Sequence, residues 1–190
     1  MRRFFFILFI SIPFLLGAKK LTVAQVLNPK SKGNDSYVSD ATQVLSTETV
    51  VELNNICVSL ERELGVEIAI VIVPGIEGDD EYDFAYRLFN TWRIGKEGKN
   101  NGLLWLYAVD IRAMKFETGY GLEGLLPDAY LNSLLDEDIF PLMREGRVDE
   151  AFLLGLRNVV SRLTTDAARE ELLLNTESPR VVVGNILTLY

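Results

Sequence analysis

Two apolar runs, VEIAIVIV at 66–73 and LLWLYAV at 103–109, set the terms for this 190-residue chain. The first is rich in β-branched residues and both are almost wholly apolar, the pattern of strands covered on both faces. Between them, Phe84, Ala85, Leu88, Phe89 and Trp92 recur at helical spacing, with Asp79 or Asp80 as N-cap and Gly95 at the close. Strand, helix and strand in that order predict a βαβ unit and a parallel pair. A helix is also expected over 47–64, since Leu53, Ile56, Cys57, Leu60 and Leu64 share a face between an N-cap Ser46 and a terminating Gly65.

After the second run, Asp110-Ile111-Arg112 turns the chain. AMKFET then alternates apolar Met114 and Phe116 with Lys115 and Glu117, predicting an edge strand hairpinned onto its predecessor. From Pro127 onward the pattern is helical. Leu131, Leu134 and Leu135 mark one stripe, extended around Pro141 by Ile139, Leu142 and Met143; Phe152, Leu156, Val159, Val160 and Leu163 mark the next. Residues 25–46 are polar and turn-rich and read as an extended lead-in with little regular structure.

The N-terminus reads as a signal peptide. Arg2 and Arg3 precede FFFILFISIPFLLGA, too short and too interrupted for a spanning helix. Ala18 and Ala24 compete as cleavage points, and Ala24 fits the small-x-small rule better because Thr22, not a bulky leucine, stands two residues before it. Cleavage there removes Arg2, Arg3, Lys19 and Lys20 and takes the net charge from −8 to −12. So acidic a chain is repelled by nucleic acid and anionic lipid. The expected division is a signal peptide at 1–24, the lead-in at 25–46, a domain at 47–168 and a tail at 169–190.

The chain has no histidine and one cysteine. Ser-His-Asp, Cys-His and HExxH chemistry are therefore excluded, and zinc loses its usual ligands. GYGLEG at 119–124 spells the dinucleotide pattern G-x-G-x-x-G, but it follows the last strand and places Glu123 inside the would-be phosphate cradle. No nucleotide or nucleic-acid partner is expected. The glycines are read as residues that turn tightly and take positive φ. The acids are the stronger clue. Parallel strands carry sites beyond their carboxyl ends, where Glu77, Asp79, Asp80 and Asp110 fall. If the glycine loop folds back to bring in Glu123 and Asp128, the converging carboxylates need a hard cation, calcium or alternatively magnesium. An antiparallel edge strand would instead carry the glycine loop to the other end, and the sequence leaves this open.

NGLLWLYAVDIRAMKFETGYGLEGLLPDA at 101–129 resembles the core signature of the TPM domain family, as do YVSDATQVLS and RLFNTWRIGKEGKNNG. The likeness runs over about residues 28–165. It implies a three-layer α/β/α sandwich around a small mixed sheet, Rossmann-like in topology, in proteins that are typically exported to the periplasm or cell envelope. It also implies three discordant activities: calcium binding, acid phosphatase action, and modulation or assembly of membrane complexes. Asp40, Asp110, Glu123 and Asp128 are the cation ligands it suggests. Asp110 and Arg112 are the candidates for a metal-assisted phosphatase, with Asp110 as ligand or base and Arg112 holding phosphate. The expected function is a calcium-binding envelope domain acting in complex assembly, with a membrane-protein partner and attachment through an uncleaved N-terminal segment as further readings.

Overall fold

The computed structural model describes residues 19–33, 35–78 and 80–177, the side chains of 175–177 excepted. Most of the expected signal peptide, the end of the expected tail, and Asp79 lie outside the described residues. Four strands form one mixed sheet in the order β1-β2-β3-β4: β1 Val38–Asp40, β2 Glu67–Val73, β3 Gly102–Ala108 and β4 Ala113–Thr118. β1, β2 and β3 run parallel, and β4 returns antiparallel to β3 as the hairpin pattern predicts.

Both faces of β2 are buried. Ile68, Ile70 and Ile72 enter a large core with Trp105, Phe116 and Phe152. Ala69, Val71 and Val73 enter a smaller one with Phe84, Leu88, Leu104 and Leu106. The larger core is roofed by α1 Thr47–Leu64 and α5 Val148–Leu163, the smaller by α2 Glu81–Trp92. The molecule is thus the three-layer α/β/α sandwich. α1 begins and ends where its caps dictate: the Ser46 side chain accepts from Thr49 N, and Gly65 takes the left-handed conformation at φ 72°. Asp80 caps α2 by accepting from Asp83 N, and Arg93, not Gly95, is its left-handed C-cap. Trp105 stacks on Phe152 with ring centroids 4.5 Å apart. Gly155 in the middle of α5 leaves room for the indole, since a Cβ there would lie 2.5 Å from it.

Beyond Pro127, α3 Asp128–Ser133 runs through a wide π-helical turn, Leu134–Ile139, into α4 Phe140–Arg144. The Phe140 N–H donates to Leu135 O, five residues back. Pro141 has no N–H to give, and its ring would crowd the carbonyl four residues earlier; the widened turn accommodates it. α6 Asp166–Glu177 continues across the boundary expected at 168, with Ala168 and Leu172 buried.

The stretch expected as an extended lead-in differs most from its reading. Val38–Asp40 is a strand, paired in register with Ile70–Ile72. Three residues in a polar context carry no periodicity; the free edge of β2 makes the strand. Further upstream, Leu21 bridges Ile76, with Leu21 N donating to Gly75 O at 2.9 Å and Glu77 N to Leu21 O at 3.0 Å. Leu21, Val23 and Val26 are buried in the smaller core. A chain cut after Ala24 would lose the first two. Burial of such side chains is worth about 1.5–3 kcal/mol each. Beginning the chain at Gln25 instead of Lys19 is therefore expected to lower Tm by roughly 6 °C or more by calorimetry; equal Tm values would show that these contacts carry no weight.

Candidate functional site

Asp40 ends β1, and its carboxylate is taken up by the loop that follows. Oδ1 accepts from Thr42 N at 2.9 Å, Thr42 Oγ1 at 2.7 Å and Gln43 N at 2.8 Å, and Oδ2 accepts from Leu45 N at 3.0 Å. These bonds hold Gln43 at a φ of 56° and set up the entry to α1. Asp110 lies beyond the carboxyl end of β3. Its N–H donates to Pro74 O at 3.1 Å, and its Oδ1 accepts from Ile111 N at 2.9 Å. The carboxylate rests on Gly75, where a Cβ would stand 2.5 Å from Oδ2.

Glu123 and Asp128 lie at the opposite end of the sheet. β4 pairs Thr118 with Leu103, Gly119 N donates to Gly102 O at 2.8 Å, and Gly121 N donates to Asn100 O at 2.9 Å. The glycine turn therefore sits at the amino end of β3, a strand length of about 20 Å from Asp110. There it neighbours Glu117, whose carboxyl is raised above the usual range by burial, opposed by Lys115 and reinforced by Asp128 and Glu123. Among the described residues no three Asp, Glu or Cys side chains gather where a metal could sit. Asp40, Asp110, Glu123 and Asp128 do not fit one calcium or magnesium site. The hairpin separates them into two pairs, and within the first pair β2 stands between the two strands.

The glycines also have a different reason from the one expected. None of Gly119, Gly121 and Gly124 takes positive φ. A Cβ on Gly119 would lie 2.2 Å from Asn100 O, and one on Gly121 2.2 Å from Lys99 O. What these two supply is close approach of backbone to the loop before β3. Only ordinary contact surrounds Gly124.

The carboxyl end of β3 does carry a concave site, which residue patterns missed. A cavity of about 510 Å³ opens between the β3–β4 hairpin and α4, walled by Tyr107, Met114, Phe140 and Met143, with Arg112 and Arg144 beside them. Its volume is in the range of small-molecule pockets. The Tyr107 phenol is raised by burial, against the pull of the Arg112 guanidinium, so the two groups sense one another. Asp110 is not among the lining residues. Arg112 was legible only as the neighbour of Asp110. Arg144 and Met143 reach the cavity because the π-helical turn sets the course of α4, and no spacing rule signals that.

At the amino end, Glu61 is the hub of a polar network. Its carboxylate accepts from Lys30 Nζ at 2.9 Å, from Tyr37 Oη at 2.5 Å and from Lys96 Nζ. Burial pushes Glu61 upward, yet the hydrogen bonds from Lys96, Tyr37 and Lys30 outweigh it and hold the group at about 2. Tyr37 is raised by burial and by the same bond. Asn101 closes the network by donating to Gly65 O and accepting from Lys96 N, both at 2.9 Å. The arrangement ties α1 to the loops at the strand starts and leaves Glu61 no free role in chemistry.

A family model described as the TPM domain matches residues 38–162. Among solved structures, the chain is similar to the N-terminal domain of a protein from P. gingivalis, at 32% identity and a TM-score of 0.73, over 80% of this chain and 96% of that one. It is also similar to the BA42 protein from the psychrophilic bacterium Bizionia argentinensis, at 16% identity and a TM-score of 0.52, over 72% of this chain and 86% of that one; this second likeness speaks for the fold. No match was found among curated proteins.

Two expectations follow from the side-chain geometry. Asp40→Ala removes an acceptor from four donors and should destabilise the fold by about 2 kcal/mol in urea denaturation, while Asp110→Ala should change stability by less than about 1 kcal/mol. A gain in stability on removing Asp40 would instead mark it as one of a repelling carboxylate group. Glu61 has a depressed folded pKa, so its contribution is complete above about 4.5 and is lost as pH falls toward about 2. Glu61→Gln should accordingly flatten the acid limb of the stability–pH curve between about pH 5 and 2; an unchanged limb would deny the network that weight.

Proposed function

The chain belongs to the TPM domain family, and on that premise we propose that it is an exported domain of the cell envelope that works by binding, in assembling or maintaining a complex, and not by phosphoryl transfer. Export is favoured by the Arg2-Arg3 start and the apolar run behind it. The place of Leu21 and Val23 in the core favours processing at Ala18 over Ala24. The observation that carries the binding reading is the parting of Asp110 from Arg112. A phosphatase built on this turn would need both side chains on one phosphoryl group, a guanidinium on its oxygens and a carboxylate aligned with the attacking water or its metal. Arg112 faces the cavity, whereas Asp110 rests on Gly75 outside the lining.

The cavity is then a binding site, with an apolar patch on its wall and cationic groups that fix a ligand's orientation. The test is turnover of an aryl phosphate, with calcium and with magnesium, by the wild-type protein and by Asp110→Asn. Equal rates at background are expected in every arm. Metal-dependent hydrolysis that disappears in Asp110→Asn would overturn the reading and restore the phosphatase. Calcium itself should leave the melting temperature unchanged. A saturable rise, which would reach about 2.7 kcal/mol at one hundred times the dissociation constant, would mean that the separated acids find a cation nonetheless.

A further inference from the structure

Arg112 and Arg144 differ from most of the other described arginines. Arg62, Arg87, Arg147, Arg157 and Arg169 each hold an acidic side chain, whereas the guanidinium groups of Arg112 and Arg144 make no hydrogen bond or ion pair with a described residue. Both stand at the same cavity in a chain of net charge −8. Arg112 also occupies an unfavourable backbone position, with φ 52° in the turn Val109–Arg112, closed by Arg112 N donating to Val109 O at 3.3 Å. Glycine or asparagine serves such a position at less cost. An outlier of this kind points from geometry to a role for the side chain. Apolar groups line part of the cavity, Tyr107 and Met114 buried on the sheet and Phe140 and Met143 half-buried on the helical side. Methionines adapt to ligands of varied shape, and a guanidinium fork matches the two oxygens of an oxyanion.

We propose that this cavity binds a small amphipathic anion, its oxyanion headgroup held between Arg112 and Arg144 and a single apolar tail or ring laid against Met114, Met143 and Phe140. The proposal deepens the binding reading given above and rests on it. The ligand is a free monomer, not the surface of an anionic bilayer: the cavity is sized for one small molecule, and the protein's overall negative charge opposes an anionic membrane.

Two of the chain's three methionines line the cavity, so the methyl groups of Met114 and Met143 are built-in reporters. The protein labelled at the methionine methyls is titrated with decanoate below its micelle concentration, with decanol and acetate in parallel, and mixed separately with phosphatidylglycerol vesicles. Decanoate is expected to shift both methyl resonances along one saturable curve, and decanol and acetate to bind at least tenfold more weakly. Arg144→Ala and Arg112→Gly should each weaken decanoate at least tenfold. Arg112→Gly should do so without lowering Tm, because glycine accepts the positive φ; that variant separates loss of binding from loss of fold. Unshifted methyls, equal binding of decanol or acetate, unchanged affinity in the two arginine variants, or association with vesicles alone would each overturn the proposal. Hydrolysis of an aryl phosphate would defeat the non-catalytic reading without altering the titration, and a flat titration would remove the ligand without supplying catalysis.

Discussion

The seven-residue parallel ladder of β2 against β3 governs the rest of the molecule. Both strands are apolar on both faces, so neither face can be left to water, and a helical layer is required above and below. α1 and α5 cover one side. On the other, α2 is a single helix of 12 residues, about 18 Å long, and it packs on β3 and β4. The area above β2 is left to Leu21, Val23 and Val26, the reason a segment so close to the apolar N-terminal run is part of the core. The same ladder places the ends of β1, β2 and β3 at one edge, and the reversal into β4 sends everything after Thr118 to the other.

Elements with a strong period were therefore legible nearly to the residue. The expected helix 47–64 is α1 as observed; the expected strand 66–73 differs from β2 by one residue at its start, and the expected strand 103–109 is shifted from β3 by one residue. Their patterns express burial, which the ladder enforces. β1 was not legible because three residues of mixed polarity have no period, and their pairing is decided by the exposed edge of β2. Leu21 and Val23 were assigned to the expected signal peptide by the Ala24 cleavage reading, since nothing local separates a leader's end from a core strip. GYGLEG illustrates a different limit. Glycine answers two demands, positive φ and close approach, with the same letter. Only the position of the 99–101 backbone reveals that the second applies at Gly119 and Gly121.

The acids were conspicuous in sequence, and the hairpin dispersed them. Asp110 and Glu123 are 13 positions apart in the chain, but an antiparallel return between them puts a full strand length in space. Asp40, which shares the carboxyl edge with Asp110, already spends its oxygens on four donors of its own loop. A carboxylate that satisfies backbone N–H groups in this way stabilises the loop in the absence of any cation, so electrostatic repulsion gives no reason to invoke one.

The cavity arginines reverse that logic. Among the described residues, four other than glycine take positive φ: Gln43, Arg93, Asn100 and Arg112. Three have a local justification. Gln43 N–H is fixed by Asp40, Arg93 terminates α2 by donating to two helix carbonyls, and Asn100 is a residue type that tolerates the left-handed region while its carbonyl anchors Gly121. Arg112 is held only by its own turn, where a smaller residue would cost less. Among the described residues its side chain has no acidic partner, and it brings a positive charge beside a buried phenol and Arg144, which has none there either. The proposed anion would supply the partner that neither guanidinium finds among the described residues.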